Sequence, residues 1–227
     1  MSMMGEFREL TPEALGQLKN DPALVGGVVS ADFRTATAAA SSGMDAILAA
    51  APPKQRDMLK QMLAAMSPEQ RVKMEKEAGK AAVAMQSALA STPPATSAPP
   101  AGLGVHISLE KAWHGVHFLL CGTAGDAPAP FGQAVLGGTP LGQDLGYGPA
   151  RFLEAGDVAA VATALSSIDR VSLATSYDGA ALQAADVYPG GWDDPENREW
   201  LLRAFDELRD FYAAVASRGN AVLIYLV

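Results

Sequence analysis

The chain has 227 residues, 49% of them hydrophobic, enough to bury a sizeable core. It carries 17 Lys and Arg against 25 Asp and Glu, and the whole acidic surplus follows Gly104, where seven basic residues face fifteen acidic ones. That balance, with no basic stripe among aromatics, excludes nucleic acid as the expected partner; no apolar run reaches the roughly 18 residues of a membrane span.

The single cysteine, Cys121, leaves no internal disulfide framework and fits a reducing compartment. The opening MSMMGEFREL lacks the basic-then-apolar pattern of a secretory leader, so the expected location is the cytoplasm. Its segment Glu6–Leu10 alternates and reads as a strand or extended lead-in. Thr11 then supplies a helix N-cap, with Pro12 at the first helical position and Leu15 and Leu18 inside. Asp21-Pro22 should stop that helix, because a residue before proline avoids helical angles.

Residues 34–103 change character, becoming rich in Ala and Met. Met58, Leu59, Met62, Leu63 and Met66 share one face of a predicted helix. A second helix opens at Ser67-Pro68-Glu69-Gln70, read as a capping box, and carries a weak apolar stripe. The proline-rich run Ser91–Gly102 reads as an extended tether.

Further on, Ser108 is placed to cap a helix running to Cys121, with Gly122 just past its end. Phe131–Leu136 alternates loosely before a Gly137-Gly138 turn, and Arg151–Leu153 is a short extended piece. Asp157 is read as the cap of a helix whose apolar face is Val158, Val161, Ala162, Leu165 and Ile168. Asp178 is read as capping a short helix through Leu182. After Asp194 and Pro195, Leu201, Phe205, Leu208, Tyr212 and Val215 recur at helical spacing and line one buried face. Gly219 ends that helix. Ala221–Val227 is apolar at every position, the pattern of a strand covered on both faces.

Three stretches carry a family resemblance: SLEKAWHGVHFLLCG at residues 108–122, GQDLGYGPAR at 142–151 and DVYPGGWD at 186–193. Together they resemble the YfbM-like family, a bacterial domain of unknown function. The resemblance covers residues 1–33 and 104–227. It implies an α/β fold, a three-layer mixed-sheet sandwich covered by helices, with residues 34–103 a mainly helical insertion near the N-terminus. It assigns no activity.

The chemistry of the same stretches is thin. Glu110, His114, His117 and Cys121 fall on one side of a single helix, a spacing that could ligate a transition metal. No second Cys/His cluster and no HExxH or CxxC motif accompanies them, so neither metal nor cofactor is expected. The glycine-rich 142–151 segment lacks the Gly-Lys-Ser/Thr ending of a phosphate loop. No GxSxG elbow occurs, and Cys121 sits at a helix C-terminus, where the dipole opposes a thiolate. The expected function is therefore a non-catalytic protein-binding or regulatory module for a basic partner, with neutralisation of a basic toxin as one version. The competing expectation is a small-ligand binder or enzyme with a recess lined by His114, His117, Asp144, Tyr147, Arg151, Asp186, Tyr188 and Trp192. There a histidine would shuttle a proton and Arg151 would hold an anionic group.

Overall fold

The computed structural model describes residues 3–41, 98–194 and 196–227. The Met-rich and capping-box helices and most of the proline-rich tether lie outside these residues. The chain divides into two compact units, residues 1–25 with 100–227, and residues 26–99. Residue 34, where the composition shifts, lies inside one continuous helix, α2 (Val25–Ser41).

The first unit begins with β1 (Gly5–Leu10) and α1 (Pro12–Asn20). Thr11 caps α1 as the sequence predicts, its hydroxyl accepting from the Ala14 amide at 3.2 Å, and the helix stops ahead of Pro22. Next come β2 (Leu103–Glu110), α3 (Trp113–Cys121), β3 (Thr139–Asp144) and β4 (Pro149–Leu153). The helices α4 (Ala155–Ser166), α5 (Arg170–Thr175), α6 (Gly179–Ala184) and α7 (Glu196–Ser217) follow, and β5 (Ala221–Leu226) closes the unit.

The fold is α/β, with a five-stranded sheet in the order β2-β1-β5-β4-β3. All its pairings are antiparallel, which corrects the expectation of a mixed sheet. The connections explain this. A single crossover helix would deliver parallel neighbours. Here two long helices, α4 and α7, lie between β4 and β5 and bring the chain back to the end of the sheet it left.

β5 occupies the interior position its unbroken apolar run predicts, between β1 and β4. Every residue of β1 and five of six in β5 are buried, so neither strand offers a face to water. Side chains alternate between faces along a strand. Phe7, Leu153, Val222 and Ile224 join one core with Val116 of α3, Val161 and Leu165 of α4, and the α7 stripe Leu201, Phe205, Leu208, Tyr212 and Val215. The Tyr212 hydroxyl reaches the Ala134 carbonyl at 2.9 Å, which satisfies its one buried polar atom. Leu10 and Leu223 are buried on the opposite face, and Ala14, Leu15 and Leu18 of α1 are withdrawn from solvent as well.

Both edges of the sheet are irregular. On β2 the pairing register with β1 shifts twice, between Gly5 and Glu6 and between Arg8 and Leu10. On β3, Pro140 has no amide to offer, and Gly142 bends the strand at φ 81° beside the Pro22 carbonyl.

Two local predictions fail here. Ser108 does not cap a helix. It sits inside β2, where its hydroxyl donates to Glu6 Oε1 at 2.8 Å, and the helix starts five residues later at Trp113. Leu103, Val105, Ile107 and Leu109 alternate with smaller or polar residues, and that two-residue period outweighs the cap signal. Glu110, at φ 48°, therefore stands outside α3 and does not share a helix face with His114 and His117. The alternating run at Phe131–Leu136 is a short 3-10 turn (Phe131–Gln133), and the strand lies beyond the Gly137-Gly138 turn. Elsewhere Asp157 sits in the first turn of α4 rather than at its cap, which is Glu154.

Candidate functional site

The first and third family stretches meet at α3. Trp113 and His114 are sequence neighbours, and their rings stack with centroids 4.7 Å apart and planes at 10°. Tyr188 lies on the same aromatic group, its ring centroid 6.2 Å from Trp113. The Tyr188 amide donates to His114 Nδ1 at 2.9 Å. That bond fixes the proton of a neutral ring on Nε2, which donates to the Ala124 carbonyl at 2.9 Å. The Tyr188 hydroxyl accepts from the Met3 amide at 3.0 Å, while Trp113 Nε1 donates to the Met3 carbonyl at 3.4 Å.

One turn further along α3, His117 is fully buried. Its Nε2 bonds the Gly125 carbonyl at 2.8 Å, leaving Nδ1 facing Cys121 Sγ at 3.9 Å. Burial holds the His117 imidazole below its ordinary pKa, against the pull of the Gly125 carbonyl. Burial also pushes the Cys121 thiol up. The pair is thus a neutral ring beside a protonated thiol, which is the resting state of a packed side-chain pair rather than of an activated nucleophile.

Trp192 completes the junction. It is 1% exposed, its Nε1 donates to the Val187 carbonyl at 2.7 Å, and its own carbonyl accepts from the Tyr177 hydroxyl at 2.7 Å. Gly115 makes the approach possible: a Cβ there would stand 2.7 Å from Leu201 Cδ2 and 2.8 Å from Trp192 Cη2. Asp186 holds a left-handed conformation at φ 53° and is exposed at the turn that leads into Val187.

The middle stretch is held by other neighbours. It forms the β3–β4 hairpin, where Asp144 Oδ1 accepts from the Gly146 amide at 2.6 Å and the Gly148 amide at 3.0 Å. Arg151 Nη1 donates to the Gly138 carbonyl at 3.4 Å, and Tyr147 is exposed at the hairpin tip. Of the eight recess residues, His114, His117, Tyr188 and Trp192 are therefore brought into one packed junction. Asp144 and Arg151 bond within the hairpin and its approach.

A polar row on the sheet escaped the sequence reading. Glu6 is 8% exposed; its Oε2 meets His106 Nε2 at 2.8 Å and its Oε1 accepts from Ser108. Arg8 and Tyr225 are cross-strand neighbours of His106 and Glu6 on that face, and both are buried. Burial lowers the Arg8 pKa and raises that of Tyr225, the latter with help from the Glu6 charge. Glu9 makes a second polar knot, taking Arg218 in a two-pronged contact at 2.6 and 2.9 Å, Asn220 at 2.7 Å and the Val105 amide at 2.9 Å. The only signal for the row is charge at alternate positions of a strand, and pairing with residues about 100 positions away is what makes it a cluster. Among the described residues no group of three or more His, Cys, Asp or Glu is placed to share a metal ion.

The histidine junction yields a direct prediction. His114→Phe keeps a ring on Trp113 but leaves the Tyr188 amide and the Ala124 carbonyl without their partner. The expected loss is about 1–3 kcal/mol of stability in urea unfolding. A loss below about 0.5 kcal/mol would show that water replaces both bonds.

No curated protein matches the chain. Among solved structures it is similar to YfbM from Escherichia coli, described as a protein of unknown function, at 21% identity and a TM-score of 0.53 over 99% of each chain. At that identity the likeness establishes the fold alone. The model of the DUF1877 family, a domain of unknown function, matches residues 1–225. With the family model spanning nearly its whole length, and a sheet and helices that follow the YfbM fold, the chain belongs to this YfbM-like DUF1877 family.

Proposed function

We propose that the chain is a cytoplasmic, non-catalytic binding module that recognises a basic protein partner through the acidic surface of its first unit; in its most specific form it would neutralise a basic toxin. The observation that carries this reading is the set of exposed carboxylates between Asp178 and Glu199. Asp178, Asp186, Asp193, Asp194 and Glu196 are all exposed there, against Arg198, while Glu199, also exposed, is paired with Arg170. Of the basic residues after Gly104, Arg170 is tied to Glu199 and Asp206, Arg209 to Asp206 and Asp210, and Arg218 to Glu9. These pairs cancel basic charge and leave the acidic surplus on display.

The stretch is also held in shape before any partner arrives, which lowers the ordering cost of association. Asp178 caps α6 through the Ala180 and Ala181 amides, and Asn197 Nδ2 donates to the Gly191 carbonyl at 2.7 Å. Gln183 Oε1 accepts from the Gly191 amide at 3.2 Å. Reading His114 and His117 as proton shuttles draws no support from their bonding, because backbone groups occupy both nitrogens of His114 and Nε2 of the buried His117, whose Nδ1 faces Cys121.

Co-purification from the native host tests the proposal. A basic protein should be retained at about 0.05 M salt and released by about 0.5 M, where screening shortens to a few ångströms. Asp193→Lys with Glu196→Lys should weaken retention about tenfold or more, while stability falls by only about 0.3–1 kcal/mol, the worth of an acidic group at a helix N-terminus. Elution of the chain alone at every salt concentration would overturn the reading.

A further inference from the structure

We draw no further inference here: the strongest candidate, the thiol–imidazole pair of Cys121 and His117 at the C-terminal end of α3, rests on a lone cysteine, and nothing among the described residues beside it points to a ligand.

Discussion

Trp192→Ala should cost about 3–5 kcal/mol, the range for removing a large buried aromatic and leaving a cavity behind. The ring fills the space over Gly115, stacks at 6.1 Å on Trp200, and donates to the Val187 carbonyl beside the Gly190 amide. All three contributions go at once, and α3, the turn after α6 and the start of α7 lose their common packing partner. For a chain of this size the unfolding temperature should fall by about 10 °C or more. Trp192→Phe separates the parts, since it restores much of the volume but not the indole donor, and it should recover about half of the loss. Thermal unfolding followed by circular dichroism measures both variants. A drop of less than about 1 kcal/mol for the alanine variant would mean that the junction collapses onto the gap.

Glu9→Gln should remove about 2 kcal/mol at neutral pH and make the protein less sensitive to acid. The Glu9 side chain is 3% exposed and accepts from Arg218, Asn220 and the Val105 amide. Burial alone would raise its pKa, but the Arg218, Val105 and Asn220 bonds together outweigh that and hold it below the ordinary value. A carboxylate whose folded pKa is depressed stabilises the protein above its unfolded pKa, about 4.3 for glutamate. That contribution disappears as pH falls through the lower, folded value. The gap between wild type and Glu9→Gln should therefore be full at pH 7 and shrink steadily below about pH 4. His117 titrates in a different window: its depressed pKa favours the unfolded chain once pH drops below the ordinary histidine value, in wild type and variant alike. Urea midpoints taken from about pH 3 to pH 7 on both proteins isolate Glu9, and a gap that stays constant across the series would contradict the assignment.

Where the sequence was readable, a single physical signal dominated. The α7 stripe repeats at helical spacing for four turns, and all five predicted positions are buried. The terminal strand is apolar throughout because β1 and β4 flank it in the middle of the sheet. Caps at Thr11 and Asp178 are legible because each is a local bond between a side chain and an amide two or three residues on. Readability failed where signals competed. At Ser108 a cap pattern lay over a strand period, and the partner that decides the matter, Glu6, is 102 residues away. The short helix α5 has one buried residue, Leu173, so it leaves no stripe to find.

The candidate site shows the same division. His114, Tyr188 and Trp192 were nominated because their stretches resemble a family, and no spacing rule could have joined positions 74 residues apart. The polar row of Glu6, His106 and Ser108 is invisible for the converse reason: Glu6 falls in an extended lead-in and Ser108 in a cap pattern 102 residues away. Only the register of β1 against β2 turns them into one group.

The ragged margins of the sheet have a consequence for how the protein behaves in a crowded cell. Straight strands at a margin invite the next molecule to add its own, and the addition can repeat into a fibre. Here one margin is interrupted by Pro140 and Gly142, and the other loses its even spacing twice in eight residues. Each margin is therefore a poor template for a strand from a neighbouring copy.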